Sequence, residues 1–337
     1  MRVVVTGGTG FVGSHAAAAL LAAGHDVRLL VRDPGRLEGP DRAALAAMDH
    51  VVGDVTDRAS VVRALDGCDA VLHAAGAMTF DGRRRAEARR VNVEGTTVVL
   101  QAALDRGADP VVFVSSISAL WPPTGAILGV DEEPKPSGSV YGGSKAVAEG
   151  VARRLQEKGE PVVITYPGGV FGPGDPYTGE VTRGLIWLLR LGIVPGGPGG
   201  FPMVDARDLA TALASALTAG MGPRRYMLGG RLLEARQLAE LLSAVTARRF
   251  LALPLPPGLL RGIGRAGDVL NRRMSLSLPF TTEGMDTVIR AVPFDNSAAE
   301  TDLGFAMRDP RLTLGDGIRW LHERSLITSR MAGAAAR

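Results

Sequence analysis

A cluster of glycines directly after the first apolar segment constrains the fold more than any other feature. Val3–Thr6 is a short β-branched run, and the chain from residue 13 to residue 23 has the alanine- and leucine-rich composition of a helix. Two registers fit the glycines between them: Gly8, Gly10 and Gly13 as G-x-G-x-x-G, or Gly7, Gly10 and Gly13 as G-x-x-G-x-x-G. A glycine turn between a strand and a helix lets the backbone approach a diphosphate, whose charge the helix N-terminus attracts. The segment therefore predicts a dinucleotide-binding unit.

Segments typical of strands and helices alternate through the first half of the chain. Apolar runs at 26–31, 70–73, 111–115 and 162–166 are separated by helical stretches such as 91–104 and 139–158. This alternation predicts parallel βαβ units. The expected fold class is α/β, a Rossmann doubly wound parallel sheet with a smaller, mostly helical C-terminal substrate domain.

The length of 337 residues predicts two domains, because a domain typically has about 100–200 residues. We expect a dinucleotide-binding domain over residues 1–170, which a late strand near 224–230 also joins. A substrate-binding lid domain over 171–330 is interleaved with it. Residues 331–337 are expected to form a frayed tail.

Charge and cysteine content exclude other classes of protein. Lys plus Arg minus Asp plus Glu is 38 − 35 = +3, which gives no electrostatic footprint for nucleic acid. The single cysteine, Cys68, excludes an intrachain disulfide framework, and the five histidines lack metal-ligand spacing, so no metal site is predicted. One reduced cysteine fits a cytoplasmic location, which we expect for this protein.

Neither a secretory signal nor a membrane span is predicted from the sequence. The longest apolar stretch, Phe250 to Ile263, is short and contains Pro254, Pro256 and Pro257. We interpret it as a buried or substrate-lining segment. An interfacial contact with a membrane is the alternative.

The end of the second strand bears on the choice of cofactor. Arg32 occupies the tip, where an acidic residue would favour NAD, and Arg36 follows closely. A guanidinium there can pair with a 2′-phosphate, so NADP(H) is favoured over NAD(H), while the adjacent Asp33 leaves a ribose contact open. After the third strand, Asp54 with Val55 is placed to meet the adenine edge, and a simple turn aspartate is the alternative.

A tyrosine and a lysine on one predicted helix suggest proton-transfer chemistry. Tyr141 and Lys145 are four residues apart, so their side chains lie on one face. An ammonium group lowers the pKa of a neighbouring phenol from its usual value of about 10, and the phenol can then exchange a proton with a carbonyl or alcohol oxygen. Ser115 and Ser116 end the strand 111–115 at the carboxyl edge of the sheet, where such folds bind ligands.

Taken together, these motifs resemble the extended short-chain dehydrogenase/reductases, also called the NAD-dependent epimerase/dehydratase family. The matching segments follow the order of that family over about residues 1–210: 6–13, 53–57, 73–76, 91–96, 113–116, 141–145, 167–173 and 204–210.

The resemblance implies roles for individual residues. Tyr141 would be the acid/base and Ser116 its carbonyl-polarising partner, while Lys145 would lower the pKa of Tyr141 and hold the nicotinamide ribose. Asn92 would have a functional or a helix-packing role, and a homodimer through two helices is implied. The remaining cofactor contacts would be Gly7, Thr9, Gly10, Phe11, Val12 and Gly13 at the diphosphate, Ala74, Ala75 and Gly76 beneath the cofactor, and Pro167 and Val170 beside the nicotinamide.

Departures from the family's patterns narrow the choice among its branches. Sugar-nucleotide dehydratases of the family typically carry Thr-Asp-Glu where this chain has Ser116-Ile117-Ser118, so dehydration is not expected. Epimerases and dehydratases tend to have an Arg and an Asn where this chain has Tyr166 and Gly169. The remaining resemblance is to the dihydroflavonol-reductase and 3β-hydroxysteroid-dehydrogenase branch.

The expected substrate is a small apolar carbonyl compound or alcohol, because the candidate substrate walls are apolar. These walls include Met78, Trp121 and Phe171, for which packing within the lid is the alternative. The leading hypothesis is an NADP(H)-dependent carbonyl reductase or alcohol dehydrogenase. A nucleotide-sugar epimerase with tightly bound NAD(P) and a non-catalytic NADP-sensing regulator are the alternatives.

Overall fold

The computed structural model of the chain describes residues 1–39, 42–79, 82–135, 139–274 and 278–336. Its strands are β1 (Arg2–Thr6), β2 (Asp26–Val31), β3 (Asp49–Val52), β4 (Ala70–His73), β5 (Val111–Val114), β6 (Val162–Pro167), β7 (Val170–Phe171), β8 (Ile193–Gly196), β9 (Phe201–Asp205), β10 (Arg224–Leu228), β11 (Arg231–Leu233) and β12 (Leu251–Pro254). Its α-helices are α1 (Phe11–Ala22), α2 (Ala43–Ala46), α3 (Arg58–Ala64), α4 (Arg85–Arg89), α5 (Thr96–Leu104), α6 (Tyr141–Glu157), α7 (Glu180–Leu191), α8 (Ala206–Ser215), α9 (Ala235–Thr246), α10 (Pro257–Met274), α11 (Thr282–Arg290), α12 (Ser297–Leu303), α13 (Pro310–Glu323) and α14 (Ser329–Ala332).

A parallel sheet of seven strands forms the centre of the fold. Its strand order is β10-β6-β5-β4-β1-β2-β3, and each neighbouring pair is parallel. The order reverses between β1 and β4, and such a switch point opens a crevice at the carboxyl ends of the strands. The predicted α/β fold with a doubly wound parallel sheet is confirmed.

Both faces of the central sheet are covered, as the unbroken apolar strands require. In β1, Val3 and Val5 point into one core with Leu20 of α1 and Leu209 of α8. Val4 points to the other face. There it joins a second core, to which the helices α3, α5 and α6 contribute: Val61, Leu100 and Ala148 among others.

The C-terminal part builds a separate core. After β6 the chain forms a three-stranded sheet with the order β11-β9-β7 and a parallel two-stranded ribbon of β8 and β12. Leu189, Leu242 and Ile318 are buried between them and the helices α7, α9 and α13. The strand β10 returns to the central sheet beside β6. No helix among the described residues is both long and apolar enough to cross a membrane.

The structure differs from the expected frayed tail at 331–337. Its described part packs as the end of α14 and a 3-10 turn, Gly333–Ala336, and Ala332 and Ala335 are buried in the C-terminal core. A Cβ added to Gly333 would lie 2.0 Å from the carbonyl oxygen of Thr246, so the backbones touch directly. Small side chains make this close packing feasible, which a frayed tail would not need. Arg337 lies outside the described residues.

The segment Phe250–Ile263 is only partly buried, so the expectation of a buried segment above holds for only some of its residues. Leu260 is fully buried, but Leu251, Leu253 and Leu259 are 51%, 46% and 50% exposed. The reason is that β12 pairs with β8 in a ribbon of two strands, whose outer face lies against solvent.

Candidate active site

The glycine turn between β1 and α1 is packed so closely that side chains could not fit. Gly7 has a φ of +74°, and a Cβ there would lie 2.6 Å from the amide nitrogen of Ala75. A Cβ on Gly13 would lie 2.2 Å from the carbonyl oxygen of Gly7, which accepts a hydrogen bond from Gly10 at 2.8 Å. Of the two registers, Gly7, Gly10 and Gly13 are therefore the glycines that pack on one another. The turn also brings the β1 end against the Ala74–Gly76 segment.

The N-terminus of α1 presents an environment suited to an anion. Gly10 precedes the helix with extended backbone, and the first turn, Phe11 to Ser14, consists of uncharged residues. The amides of Phe11, Val12 and Gly13 begin the helix, where N–H groups lack intrahelical acceptors and the dipole is positive. A diphosphate fits this turn because the groups that surround it are backbone N–H donors.

Three arginines surround the side of the glycine turn that faces the β2 end. Arg32 is exposed beside Asp54, and the Arg36 guanidinium lies 5.0 Å from the ring centroid of Tyr177. Arg42, which the sequence analysis did not single out, donates to the carbonyl oxygen of Thr9 at 3.0 Å. This concentration of positive charge fits a phosphate.

Asp54 is positioned by its own turn. Its Oδ1 accepts hydrogen bonds from the amide of Thr56 at 2.9 Å and from the hydroxyl of Thr56 at 2.8 Å. These bonds, with Arg90 and Arg32 nearby, outweigh burial and lower the pKa of Asp54. Oδ1 thus stabilises the turn, as the alternative of a simple turn aspartate expects. Oδ2 lies 4.0 Å from the Arg90 guanidinium, towards the surface. Val55 is buried beside it.

A buried chain of hydrogen-bonding groups ties β1 to β4 at the carboxyl edge. The Nδ1 of His73 lies 2.7 Å from the Thr6 hydroxyl, and its Nε2 lies 3.0 Å from the Thr96 hydroxyl. The Thr6 oxygen also accepts from the amide of Ala75 at 3.2 Å. Burial lowers the pKa of His73 to about 3, so the imidazole stays neutral and holds the segment beneath the predicted cofactor.

Asn92, in a π-helical turn at Arg90–Gly95, joins Ala77, the residue after the Ala74–Gly76 segment, to α6. Its Oδ1 accepts from the amide of Ala77 at 2.7 Å, and its Nδ2 donates to the Ala77 carbonyl and to the Ser144 hydroxyl at 2.9 Å. The packing role proposed for Asn92 is therefore visible in the structure. Ser144 is the residue directly before Lys145 on α6.

The structure brings Ser116 and Tyr141 together at the carboxyl edge of the sheet. Ser116 follows β5 and accepts from the amide of Ser118 at 3.1 Å, which fixes its side chain. Its side chain is hydrogen-bonded to the hydroxyl of Tyr141, the first residue of α6. Two hydroxyls that share a hydrogen bond in this way can both reach one substrate oxygen.

Lys145 lies one turn further along α6 and is buried. Its ammonium group donates to the carbonyl oxygen of Val114 at 2.8 Å and lies 5.0 Å from the ring centroid of Phe113. A Cβ added to Gly76 would lie 3.8 Å from it, so Lys145 reaches the predicted cofactor segment. Burial lowers the pKa of Lys145 to about 8, which the charge of Glu149 partly opposes.

The pKa of Tyr141 departs from the expected direction. Burial raises it to about 12, while the Ser116 hydroxyl favours the phenolate and Glu283 disfavours it. Lys145 is turned to the Val114 carbonyl, which explains why the expected lowering is not found in this arrangement. Tyr141 therefore holds its proton at neutral pH.

Glu283 is a site residue that the sequence analysis missed. It comes from α11, and its Oε1 accepts from the amide of Gly142 at 3.0 Å at the start of α6. Burial raises the pKa of Glu283 to about 7, although the backbone amides of Gly142 and Tyr141 and the Ser139 hydroxyl oppose this. Only its position in the first turn of an amphipathic helix was visible in the sequence, and that indicates a helix start rather than a partner.

The three candidate substrate residues are spread over different environments. Met78 is 44% exposed after the Ala74–Gly76 segment. The indole N–H of Trp121 donates to Asp286 of α11 at 3.2 Å. Phe171 packs against the C-terminal core, which matches the alternative of a packing role. The described contacts do not join the three into one wall.

Two positions where this chain departs from the nucleotide-sugar enzymes, Tyr166 in β6 and Gly169 just after it, are enclosed by their surroundings. The Tyr166 hydroxyl is buried and donates to Glu149. A Cβ added to Gly169 would lie 2.5 Å from the carbonyl oxygen of Pro202, so a larger residue does not fit there. Pro167 ends β6, and Val170 pairs with Val204 of β9, so both stand at the edge where the nicotinamide is expected.

Comparison with known proteins adds to this geometry. The sequence profile of the NAD dependent epimerase/dehydratase family matches residues 3–229. The chain is 29% identical to sterol demethylase protein B of Methylococcus capsulatus, over 97% of this chain and 100% of that protein. It is 27% identical to a putative dihydroflavonol 4-reductase of Synechocystis sp., over 97% and 96%.

The fold also occurs in solved structures. The UDP-glucose-4-epimerase of Stenotrophomonas maltophila, solved with bound NAD and formylated UDP-arabinopyranose, matches with a TM-score of 0.75 and 22% identity. The match covers 97% of this chain and 99% of that one. At this identity the likeness shows the fold.

Proposed function

Because this chain belongs to the NAD-dependent epimerase/dehydratase family, and is an NAD(P)-dependent enzyme of the extended short-chain dehydrogenase/reductase class, we propose that it is an NADP(H)-dependent carbonyl reductase or alcohol dehydrogenase. The proposed substrate is a hydrophobic ketone, aldehyde or secondary alcohol. The hydride moves between the nicotinamide and the substrate carbon.

The observation that carries the proposal is the shared hydrogen bond of Ser116 and Tyr141, with Lys145 one helical turn away. In the direction of reduction, a carbonyl oxygen must gain a proton as its carbon gains a hydride. Tyr141 holds that proton, because a phenol is neutral at pH 7 and burial raises the pKa of this one further, to about 12. Ser116 is placed to donate a hydrogen bond to the same oxygen, which would stabilise the developing negative charge.

The residues around the crevice fit a bound dinucleotide. The glycine turn and the α1 amides would hold the diphosphate, Asp54 and Val55 the adenine, and Ala74 to Gly76 the underside. Lys145 would hold the nicotinamide ribose through its buried ammonium group. When bound, the nicotinamide supplies or accepts the hydride.

A preference for NADP(H) is supported by the arginines beside the glycine turn. Arg32 and Arg36 lie at the β2 end, and Arg42 is anchored on the turn itself through Thr9. A 2′-phosphate carries a charge of about −2, which guanidinium groups bind in bidentate geometry. NAD(H) would leave these groups with only a ribose hydroxyl.

An apolar substrate is supported by two observations. Gly169, where epimerases tend to have an asparagine, has no room for a side chain among the described residues, and Tyr166 is occupied with Glu149. Both positions are thus unavailable as ligands for a sugar diphosphate. The names of the two full-length relatives, a sterol demethylase protein and a dihydroflavonol reductase, point in the same direction.

A nucleotide-sugar epimerase is the second candidate, because the family includes epimerases. It would interconvert isomers with a tightly held cofactor and consume none. A non-catalytic NADP sensor is a third, and it would not need the hydrogen-bonded Ser116 and Tyr141.

The test is NADPH oxidation with a panel of apolar ketones, aldehydes and steroids. Tyr141→Phe should lower kcat by about 10²–10⁴-fold while NADPH binding is kept. Tyr226→Phe is the matched control, since Tyr226 is a buried tyrosine of β10 whose hydroxyl donates to Asp302 of α12. Equal turnover of Tyr141→Phe and the native enzyme would exclude the proposed role. Isomerisation of sugar nucleotides without loss of NADPH would instead favour the epimerase.

A further inference from the structure

We propose that the outer face of the β8–β12 ribbon and the adjoining helix α10 dock on the surface of an anionic lipid bilayer. The binding is peripheral. It does not depend on the reaction proposed above, and it can be measured without turnover.

The ribbon presents its apolar side chains outwards. Ile193 of β8 pairs with Leu251 of β12, and Leu253 lies two residues further on the same face. They are 38%, 51% and 46% exposed. The alternate residues Ala252 and Val194 pack against the C-terminal core. A two-stranded sheet with one core-facing side normally carries polar residues on the other, so this apolar ribbon face is unusual.

Helix α10 continues the apolar surface directly after β12. Leu259, Leu270 and Met274 are spaced so that they project on one side of the helix, and they are 50%, 41% and 61% exposed. The neighbouring side is fixed by glycines: a Cβ on Gly267 would lie 1.7 Å from the carbonyl oxygen of Phe280. Because that contact locks α10 onto the segment before α11, the helix cannot roll its apolar side inwards.

The charge of the same segment complements an anionic surface. Residues 249–274 contain five basic residues and one acidic residue: Arg249, Arg261, Arg265, Arg272, Arg273 and Asp268. The carboxylate of Asp268 accepts hydrogen bonds from the amide and the hydroxyl of Thr282. Within the described residues none of these arginines forms an ion pair, whereas arginines such as Arg2, Arg28 and Arg207 do.

Leucine and arginine side chains in one segment are the composition of an interfacial helix. The apolar side chains enter the headgroup region, and each arginine near an anionic surface adds to the attraction. A bilayer fits better than a protein groove, because the two exposed apolar elements belong to a segment whose arginines form no ion pair within the described residues and whose one acidic residue is already hydrogen-bonded.

The experiment is co-sedimentation of the full chain with vesicles. Phosphatidylcholine vesicles should bind little protein, and vesicles of equal parts phosphatidylcholine and phosphatidylglycerol should bind it in a manner that added salt weakens. Leu251→Ser/Leu253→Ser should weaken partitioning about tenfold or more. Arg261→Gln/Arg265→Gln should weaken it about 25-fold, from about fivefold for each charge.

Two variants outside the surface serve as controls. Leu312→Ser in α13 changes a leucine that is 58% exposed, and Arg311→Gln changes the exposed arginine beside it. Both should bind vesicles as the native chain does, and unchanged thermal melts would show that all variants fold. The proposal is overturned by a native chain that binds neither vesicle, or by controls that lose as much binding. It is also overturned if light scattering shows that the leucine pair holds a dimer together instead.

Discussion

The carboxylate of Glu283 accepts a hydrogen bond from the backbone amide of Gly142 at 3.0 Å, so a residue of α11 caps the helix that carries Tyr141 and Lys145. The contact joins two segments that are 141 residues apart in the chain. It couples the C-terminal part to the start of α6. A carboxylate at a helix N-terminus also meets the positive end of the dipole.

Glu283 should make the stability of the protein depend on pH. Its pKa is raised to about 7 in the folded chain, above the unfolded value of 4.5, so the fold binds the protonated form more strongly. Its stabilising effect is complete below about pH 4.5 and is lost as pH rises through 7. Relative to Glu283→Gln, the unfolding free energy of the native chain should therefore fall between those pH values, as urea titrations would measure.

Glu283→Ala removes the cap as well as the charge and should cost about 1 kcal/mol. Ser139 and Asp268 also face this carboxyl group. If the free energies of unfolding of Glu283→Gln and the native chain changed with pH in parallel, Glu283 would not be the group responsible for the pH dependence.

Gly13→Ala should abolish cofactor binding. The added methyl would lie 2.2 Å from the Gly7 carbonyl oxygen, and the turn would have to move away from Ala75. Overpacking of this kind costs about 1–3 kcal/mol. Gly262→Ala in α10 is the control, because its Cβ would meet open space among the described residues, and it should change stability by less than about 1 kcal/mol. Calorimetric titration with NADPH should detect binding by Gly262→Ala and none by Gly13→Ala.

Arg32→Ala should raise the KM for NADPH by about tenfold or more and leave the KM for NADH unchanged. A charge-assisted hydrogen bond contributes about 1.5–3 kcal/mol, and only NADPH offers the phosphate. Arg63→Ala, an exposed arginine of α3, should change neither constant. If Arg32→Ala raised the KM for NADPH and the KM for NADH by similar factors, a contact with the phosphate would be contradicted.

Asn92→Ala should destabilise the fold by about 3 kcal/mol. It leaves the amide and carbonyl of Ala77 and the hydroxyl of Ser144 without their partner in a buried place. Chemical denaturation would measure the loss. Asn271→Ala, which removes two bonds to the backbone of Leu278 rather than three, should cost less. An Asn92→Ala protein as stable as the native chain would refute the bridging role.

Local patterns predicted the framework of the site because its parts stand at strand ends. Gly7, Ala74 and Ser116 follow β1, β4 and β5, and parallel strands place their carboxyl ends at one edge. The face shared by Tyr141 and Lys145 follows from helix periodicity alone. The expectations of a homodimer, a cytoplasmic location and the individual site roles stay predictions.

Contacts between distant segments could not be predicted. Arg42 reaches Thr9, and Glu283 reaches Gly142, only because of loop paths and helix packing that no periodicity encodes. Glu149 is a partial exception. It stands four residues after Lys145 on the same face of α6, so its burial beside Tyr166 could have been inferred from a charged residue on a helix face turned to the core.

Because β10 returns to the central sheet, the two halves of this protein cannot be separated by a single cut in the chain. The chain leaves after β6, builds β7 to β9 elsewhere, and comes back so that Leu228 pairs with Pro167. A cut at residue 170 would remove β10, one of the two strands that pair with β6, and leave an apolar strand with an open edge, which invites aggregation. Exchange of substrate preference between relatives by recombination therefore requires two junctions, one on each side of β10.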